Sequence, residues 1–288
     1  MIIDAHAHLW KKQNGIVNGK PVYDVGGGRS DFGGELRQMM PPYMTDGENT
    51  AERFLANMDY AGVGGAVITQ EYIDGNQDEY LLSCRSDRIK ICALYEEKPM
   101  GDISGFDGIK ICAGRLKDKN LLNHLEPFKL ALQNGKFISI DLADGDEQTA
   151  MMQEIIDMMP DLRIAIGHFG MVTRENWLSQ IALAKNKNVF IESGGITWLF
   201  NSEFYPYPSA VQAIKEAAAL VGYDKLMWGS DYPRTMTAIT YKMSLGFIEK
   251  TTEITEEDKR LILGENARKF YGFGNIPDPQ WVKNMVED

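Results

Sequence analysis

Cysteine is scarce in this chain: Cys84, Cys92 and Cys112 are the only three, an odd number without Cys-x-x-Cys spacing. That pattern fits buried thiols in a reducing compartment better than a disulfide framework. No apolar run approaches the ~18 residues that a membrane span needs. Nor does a basic stretch followed by an apolar one open the chain, as a secretion signal would. The expected location is the cytoplasm. Positive charge is also short, with 30 Lys and Arg against 41 Asp and Glu and a net charge of −11. This speaks against nucleic acid or an anionic membrane as the main partner. A small anionic substrate stays open, because a local basic pocket can oppose the global field. Internal repeats, low-complexity runs and linkers are missing too. The 288 residues therefore read as one domain, 1–288, long enough to bury a full core.

What the chain does have is a rhythm. Short β-like runs fall at Ile2–Leu9, Gly64–Gln70, Ile89–Tyr95, Gly108–Ala113, Lys136–Ala143, Arg163–His168, Asn188–Ser193 and Lys225–Gly229. Between them the patterning is helical, over Thr50–Ala61, Gln77–Arg85, Asn120–Asn134, Glu147–Met159, Arg174–Lys185, Pro208–Val221 and Thr235–Lys250. Gly62, Gly135 and Gly222 stand where such helices end and a residue tolerant of positive φ is favoured. Strand–helix alternation predicts a parallel sheet, and eight units predict closure into a (β/α)8 TIM barrel. An open doubly wound sheet is the competitor, but no Gly-rich dinucleotide fingerprint follows the first strand.

In a barrel the chemistry sits where strands end and βα loops begin. The first such loop, 11–49, is far longer than the usual few residues. It carries Gly26-Gly27-Gly28, Gly33-Gly34, Arg29, Arg37 and Tyr43. It reads as a lid-like loop insertion, with a surface excursion as the alternative. The seventh loop, Gly194–Pro208, is long and aromatic, with Trp198, Phe200, Phe204, Tyr205 and Tyr207. It predicts either a pocket wall or a contact between copies of the chain in a homo-oligomer. The C-terminal helical segment, 251–288, opens on Thr255-Glu256-Glu257-Asp258, close to a capping box. A helix through Leu263 and a shorter one around Asn266–Tyr271 are expected there, and Pro277, Pro279 and Trp281 suggest an end docked on the barrel.

Histidine is rare as well, and two of the four sit one residue apart near the start. Side chains on a strand repeat with period two, so Asp4, His6 and His8 are expected on one face and Ala5, Ala7 and Leu9 on the other. Two imidazoles on rigid backbone suit a divalent metal; a pair of hydrogen-bonded buried histidines is the plainer alternative. His168 closes the apolar run Ile164-Ala165-Ile166-Gly167, and Asp231 follows Trp228-Gly229-Ser230 at the last strand. Each alone has an ordinary reading, as a core histidine or a helix cap. Jointly, His6, His8, His168 and Asp231 would ring one end of the barrel.

Asp4-x-His6-x-His8, Gly167-His168-Phe169-Gly170, Gly229-Ser230-Asp231-Tyr232-Pro233 and Glu265-Asn266-Ala267-Arg268, in this order, resemble the amidohydrolase superfamily in its amidohydrolase-2 branch. The resemblance spans essentially the whole chain. It implies that His6 and His8 are metal ligands, that His168 holds the catalytic strand-six position, and that Asp231 binds metal and handles protons. The implied cofactor is one divalent ion, Zn or Mn. One departure matters. Metal-dependent decarboxylases of the branch usually present a His at the end of strand five, where this chain has Phe137-Ile138-Ser139-Ile140-Asp141-Leu142. Alternation turns Ser139 and Asp141 inward, so Asp141 takes that register and is a further candidate ligand. It also resembles the Asp-Leu strand five of the superfamily's sugar-lactone and pyrone lactonases, some of which need no metal. A binuclear centre is not expected, because the strand-five His it uses is missing.

Lys110 reads as an inward cation near the substrate, with a structural ion pair as the alternative. Arg115, Arg234 and Arg29 lie on βα loops and are candidates to clamp a carboxylate with a planar fork. Glu192 has ambiguous parity and receives no role. The expected function is hydrolysis of a lactone or similar small cyclic ester of a sugar acid or carboxylated ring, with Asp231 as general base. Decarboxylation or hydration of a small unsaturated or aromatic acid is the second expectation, and a non-catalytic metal-binding barrel the third.

Overall fold

Twelve strands and ten α-helices are found in the computed structural model, which describes residues 1–276, 279 and 285. The strands are β1 Ile2–Ala7, β2 Asn14–Val17, β3 Lys20–Gly26, β4 Arg29–Phe32, β5 Leu36–Gln38, β6 Val63–Ile68, β7 Ile89–Leu94, β8 Gly108–Ile111, β9 Phe137–Ile140, β10 Arg163–Ile166, β11 Val189–Glu192 and β12 Leu226–Met227. The helices are α1 Ala51–Ala61, α2 Asp78–Cys84, α3 Leu125–Gln133, α4 Thr149–Met158, α5 Trp177–Ala182, α6 Ile196–Leu199, α7 Pro208–Val221, α8 Tyr241–Lys250, α9 Glu256–Arg260 and α10 Asn266–Tyr271. Among the described residues no helix is long and apolar enough to cross a membrane. Pro277 and Trp281, from the expected docked end, lie outside the described residues.

Eight parallel strands run in the order β1-β6-β7-β8-β9-β10-β11-β12. The seam between first and last is closed by backbone bonds: Ala5 N–H to Trp228 O at 2.9 Å, Asp231 N–H to His6 O at 2.8 Å, and His8 N–H to Tyr232 O at 2.9 Å. The predicted (β/α)8 barrel is therefore present, and period-two alternation divides its strands into two apolar layers. Ile138, Ile140, Leu142, Ile164 and Ile166 pack outward with the helices. Ile3, Val67, Cys92, Phe137 and Met227 pack inside with Phe270 and Phe273, so α10 and the residues after it plug one end.

The first strand departs from simple alternation. Asp4 pairs with Ala66 but Ala7 pairs with Ile68, three steps on β1 against two on β6. This extra residue is a β-bulge, which changes the phase of the side chains beyond it. Asp4 therefore does not share a face with the two histidines as expected. It is buried against α8, bonding Tyr241 Oη at 2.8 Å and Ser230 Oγ at 2.5 Å. His6 and His8 turn to the other side.

The 11–49 insertion, read from the sequence as lid-like, contains regular structure. Residues 14–38 form a four-stranded antiparallel sheet, β2-β3-β4-β5. Its first turn is Asn18-Gly19, both at positive φ (51° and 74°), the two-residue hairpin for which Asn-Gly is suited. The outer edge of β2 is tied to the loop after β6 by Asn14 N–H to Asp74 O at 3.1 Å and Ile16 N–H to Tyr72 O at 3.0 Å. Toward the C-terminus, Thr255 caps α9 as expected by accepting from Asp258 N–H at 3.2 Å. A π-helical turn, Leu261–Glu265, then joins α9 to α10.

Candidate active site

A cavity of about 690 Å³ opens at the end of the barrel where the βα loops gather. His8, Asp141, His168, Trp198, Asp231 and Arg234 are on its wall, drawn from the segments at the ends of five different strands. His6 lies just beneath, fully buried. Its Nδ1 is 2.6 Å from Glu192 Oε1. The carboxylate accepts from Nδ1–H, so Nε2 is the ring nitrogen turned toward His8. That Nε2 lies 3.1 Å from His8 Nε2, which in turn lies 2.9 Å from Asp231 Oδ1.

His6 Nε2, His8 Nε2 and Asp231 Oδ1 thus converge. Burial, and then the nearby Arg234 charge, push His8 down to about 4, so its ring is neutral at pH 7. Burial works against ionising Asp231, yet the His8 hydrogen bond and the charges of Arg234 and His168 hold its carboxyl well below the usual range. Trp198 Nε1–H donates to its other oxygen at 2.6 Å. Neutral imidazoles and an ionised carboxylate are the donor set that a divalent cation takes. Nitrogens 3.1 Å apart also match two ligands sharing one ion at about 2.0–2.1 Å each. His6, His8 and Asp231 fit a metal on these grounds; His6, Asp141 and His168 also lie close together.

The His168 ring lies against His6, centroids 4.7 Å apart and tilted by 51°, and its Nδ1–H donates to Gly194 O at 2.8 Å. Burial disfavours its charge, but the Asp141 carboxylate, 3.6 Å from Nε2, outweighs burial and lifts His168 to about 10. The ring is an imidazolium at neutral pH. Asp141 also takes Lys110 Nζ at 2.6 Å. Burial disfavours both charges of this pair, yet each raises the other's ionisation, so Asp141 stays well below and Lys110 above its ordinary value. Close approach here depends on Gly167: a Cβ at that position would sit 2.1 Å from Asp141 Oδ1 and 2.7 Å from Glu192 Oε1.

The expected cations are placed unequally. Arg234 reaches the cavity between Asp74 Oδ2, at 2.6 Å, and Asp231 Oδ1, at 3.8 Å. Asp74 is itself held by Gln13 Nε2 at 3.1 Å, and Gln13 by Ser30 Oγ of β4 at 2.5 Å. Arg115 lines the cavity and pairs with Glu71 at 2.8 Å. Lys110 is fully buried and meets the site through Asp141. Arg29 is turned away, exposed, with its Nε–H on Gly26 O at 3.1 Å, and β5 presents Arg37 to the cavity instead.

Sequence reasoning passed over Glu192, whose carboxylate orients His6. Val189 and Ile191 pack outward while Phe190 joins the inner layer, so parity was hidden by three apolar neighbours. The one charge closing that apolar run was the signal available. Trp198 was legible as aromatic wall but not as a partner of Asp231. Of the other aromatics in its loop, Tyr207 is buried and Phe204 is 91% exposed.

A (β/α)8 barrel with imidazoles and carboxylates clustered at the loop end of its strands defines the class of molecule. The family model described as Amidohydrolase matches residues 144–273, a stretch that includes the His168 and Asp231 motifs. With it the resemblance read from the sequence is borne out over that stretch. No curated protein matches it significantly. Among solved structures, it is similar to a protein described as a probable 2-pyrone-4,6-dicarboxylic acid hydrolase from Acinetobacter baumannii with citric acid bound. That match has 18% identity and a TM-score of 0.67, covering 94% of this chain and 99% of the other. A Burkholderia multivorans amidohydrolase with bound Zn is similar at 15% identity and TM-score 0.68, covering 95% and 100%. A 5-carboxyvanillate decarboxylase from Novosphingobium aromaticivorans, complexed with manganese and a nitrobenzoic acid, matches at 18% identity and TM-score 0.55, covering 76% and 79%. At these identities the shared feature is the fold.

Proposed function

We propose that this chain is a hydrolase of lactones or similar small cyclic esters derived from a sugar acid or carboxylated ring. The observation that carries the reading is the convergence of His6 Nε2, His8 Nε2 and Asp231 Oδ1 beside a cavity that also holds the His168 imidazolium. His6, His8 and Asp231 would hold one divalent ion, Zn or Mn, which when bound supplies Lewis acidity toward a water or carbonyl oxygen. Asp231 is the proton acceptor for the attacking water, ionised at neutral pH and oriented by Trp198. As the carbonyl oxygen gains charge, His168 and the free side of Arg234 are the cationic donors nearest to it. Glu192 fixes the His6 tautomer so that its Nε2 faces the site. Asp141 stands at the strand-five position in place of the His of the branch's metal-dependent decarboxylases, which supports ester hydrolysis over decarboxylation.

The test is a panel of lactones and aromatic acids, followed by proton release and CO₂ release, with metal content measured on the same samples. Lactone turnover without CO₂ is expected. CO₂ release alone would transfer the site to decarboxylation. Loss of bound metal in the His6→Ala, His8→Ala double variant, with the fold retained, is the expected companion result.

A further inference from the structure

Asp4 is fully buried and lies outside the cavity wall. Four uncharged donors hold its carboxylate. Oδ1 accepts from His6 N–H at 3.1 Å and Ser230 N–H at 2.9 Å, and Oδ2 accepts from Ser230 Oγ–H at 2.5 Å and Tyr241 Oη–H at 2.8 Å. A buried carboxylate whose donors are all neutral is costly to keep. It is also the side chain that can take four donors at once, because it only accepts. Through Oδ1 it joins β1 to the segment after β12, where Ser230 directly precedes Asp231. Asp231 is pinned at the same joint: its own N–H donates to His6 O at 2.8 Å, and Tyr232 N–H donates to Ser230 Oγ at 2.9 Å. Between these bonds Asp231 has φ of 56°, a left-handed conformation that a residue other than glycine keeps where its surroundings over-determine it. From that backbone its carboxylate reaches His8 Nε2 at 2.9 Å and Trp198 Nε1 at 2.6 Å.

We propose that Asp4 is a positioning residue for Asp231 and acts through Ser230. The Asp4 carboxylate sets the backbone of the turn from Ser230 to Tyr232, and with it the place of the Asp231 oxygens beside His8. Ser230 is the link, since its N–H and hydroxyl both go to Asp4 while its oxygen receives Tyr232 N–H. Tyr241 only ties the joint to α8. The effect on turnover rests on the reading of Asp231 as proton acceptor, but the placement of its carboxylate can be measured without metal or substrate.

Trp198 reports that placement. Its indole N–H donates to Asp231, whereas those of Trp10 and Trp228 donate to the carbonyls of Gly47 and Ser244. The experiment is the proton–nitrogen spectrum of the full chain labelled at its tryptophan nitrogens, with Trp198→Phe to assign the signal. A charge-assisted bond to a carboxylate is short and strong, so the Trp198 proton should resonate downfield. Asp4→Asn keeps the shape but puts donors where Oδ2 accepted, and Ser230→Ala deletes the hydroxyl. Each is expected to move the Trp198 signal upfield while the Trp10 and Trp228 signals stay. Tyr241→Phe removes the α8 bond alone and should leave the Trp198 signal in place even where the melting temperature falls. If Asp4→Asn does not fold, Ser230→Ala decides. An unmoved Trp198 signal in the folded variants overturns the proposal, as does an equal shift in Tyr241→Phe or a common shift of all three indoles, which is general loosening. In the folded variants kcat on the preferred lactone should drop about tenfold or more with KM little changed. If the Trp198 signal moves as expected while the parent chain turns over no lactone, the hydrolytic reading falls and the positioning role stands.

Discussion

Asp74 holds one terminal nitrogen of Arg234 at 2.6 Å and leaves the other 3.8 Å from Asp231. The carboxylate is 3% exposed and the guanidinium 14%, so neither is well screened by water. Arg234 is therefore aimed by a residue outside the reacting group, one anchored through Gln13 to the inserted sheet. Breaking a buried pair by removing one charge typically costs about 3–5 kcal/mol. Asp74→Asn should lower the melting temperature and reduce kcat/KM on the preferred lactone by about 10-fold or more through misplacement of Arg234. Asp74→Glu, which keeps the charge, should recover part of kcat/KM, and a kinetic comparison of the two variants checks this.

Asp231→Asn separates a proton acceptor from a helix cap. The residue has φ of 56°, a conformation Asn tolerates as well as Asp, so the backbone should survive. Proton transfer by a placed group is worth about 10²–10⁴ in rate. Turnover should fall at least about a hundredfold when compared at equal metal occupancy. A well-folded variant with near-normal turnover would remove Asp231 from the mechanism.

Glu192→Gln keeps the shape of the side chain against His6 but removes the charge. Outer partners of metal-ligating histidines commonly contribute about 10–100-fold in metal affinity. Zn²⁺ competition against a chromophoric chelator should therefore show weaker binding by that order. Unaltered affinity would leave Glu192 a packing group only.

Gly167→Ala tests the crowding beneath the cavity. The added Cβ would meet Asp141 and Glu192 oxygens well inside contact distance. Overpacking of this kind costs about 1–3 kcal/mol, which thermal or urea unfolding would register. The larger effect should be on activity, since Asp141 is displaced from both Lys110 and His168.

The barrel was legible because its strands and helices alternate with apolar period, a property of short segments. His168 and Asp231 were legible because each closes an apolar run next to glycine or serine. The face of Asp4 was not, since a bulge is a relation between two strands and leaves no mark on one. Nor was the inserted sheet recognised, although Asn18-Gly19 between two short runs carried a hairpin signal. Arg37 over Arg29 is a matter of which side of that sheet meets the barrel, and only the three-dimensional register decides it. What the Asp231 carboxylate touches came from Trp198, a residue 33 positions away.

The bulge in β1 has one further consequence. Upstream of it the strand is keyed to α8 by Asp4, and downstream it is keyed to the cavity by the two imidazoles. A single extra residue lets these two allegiances coexist on one strand. The segment from Asp4 to His8 is consequently governed by its length as strictly as by its letters. Conservative exchanges at Ala5 alter volume, whereas deleting it would rotate both imidazoles out of phase with Glu192 and Asp231.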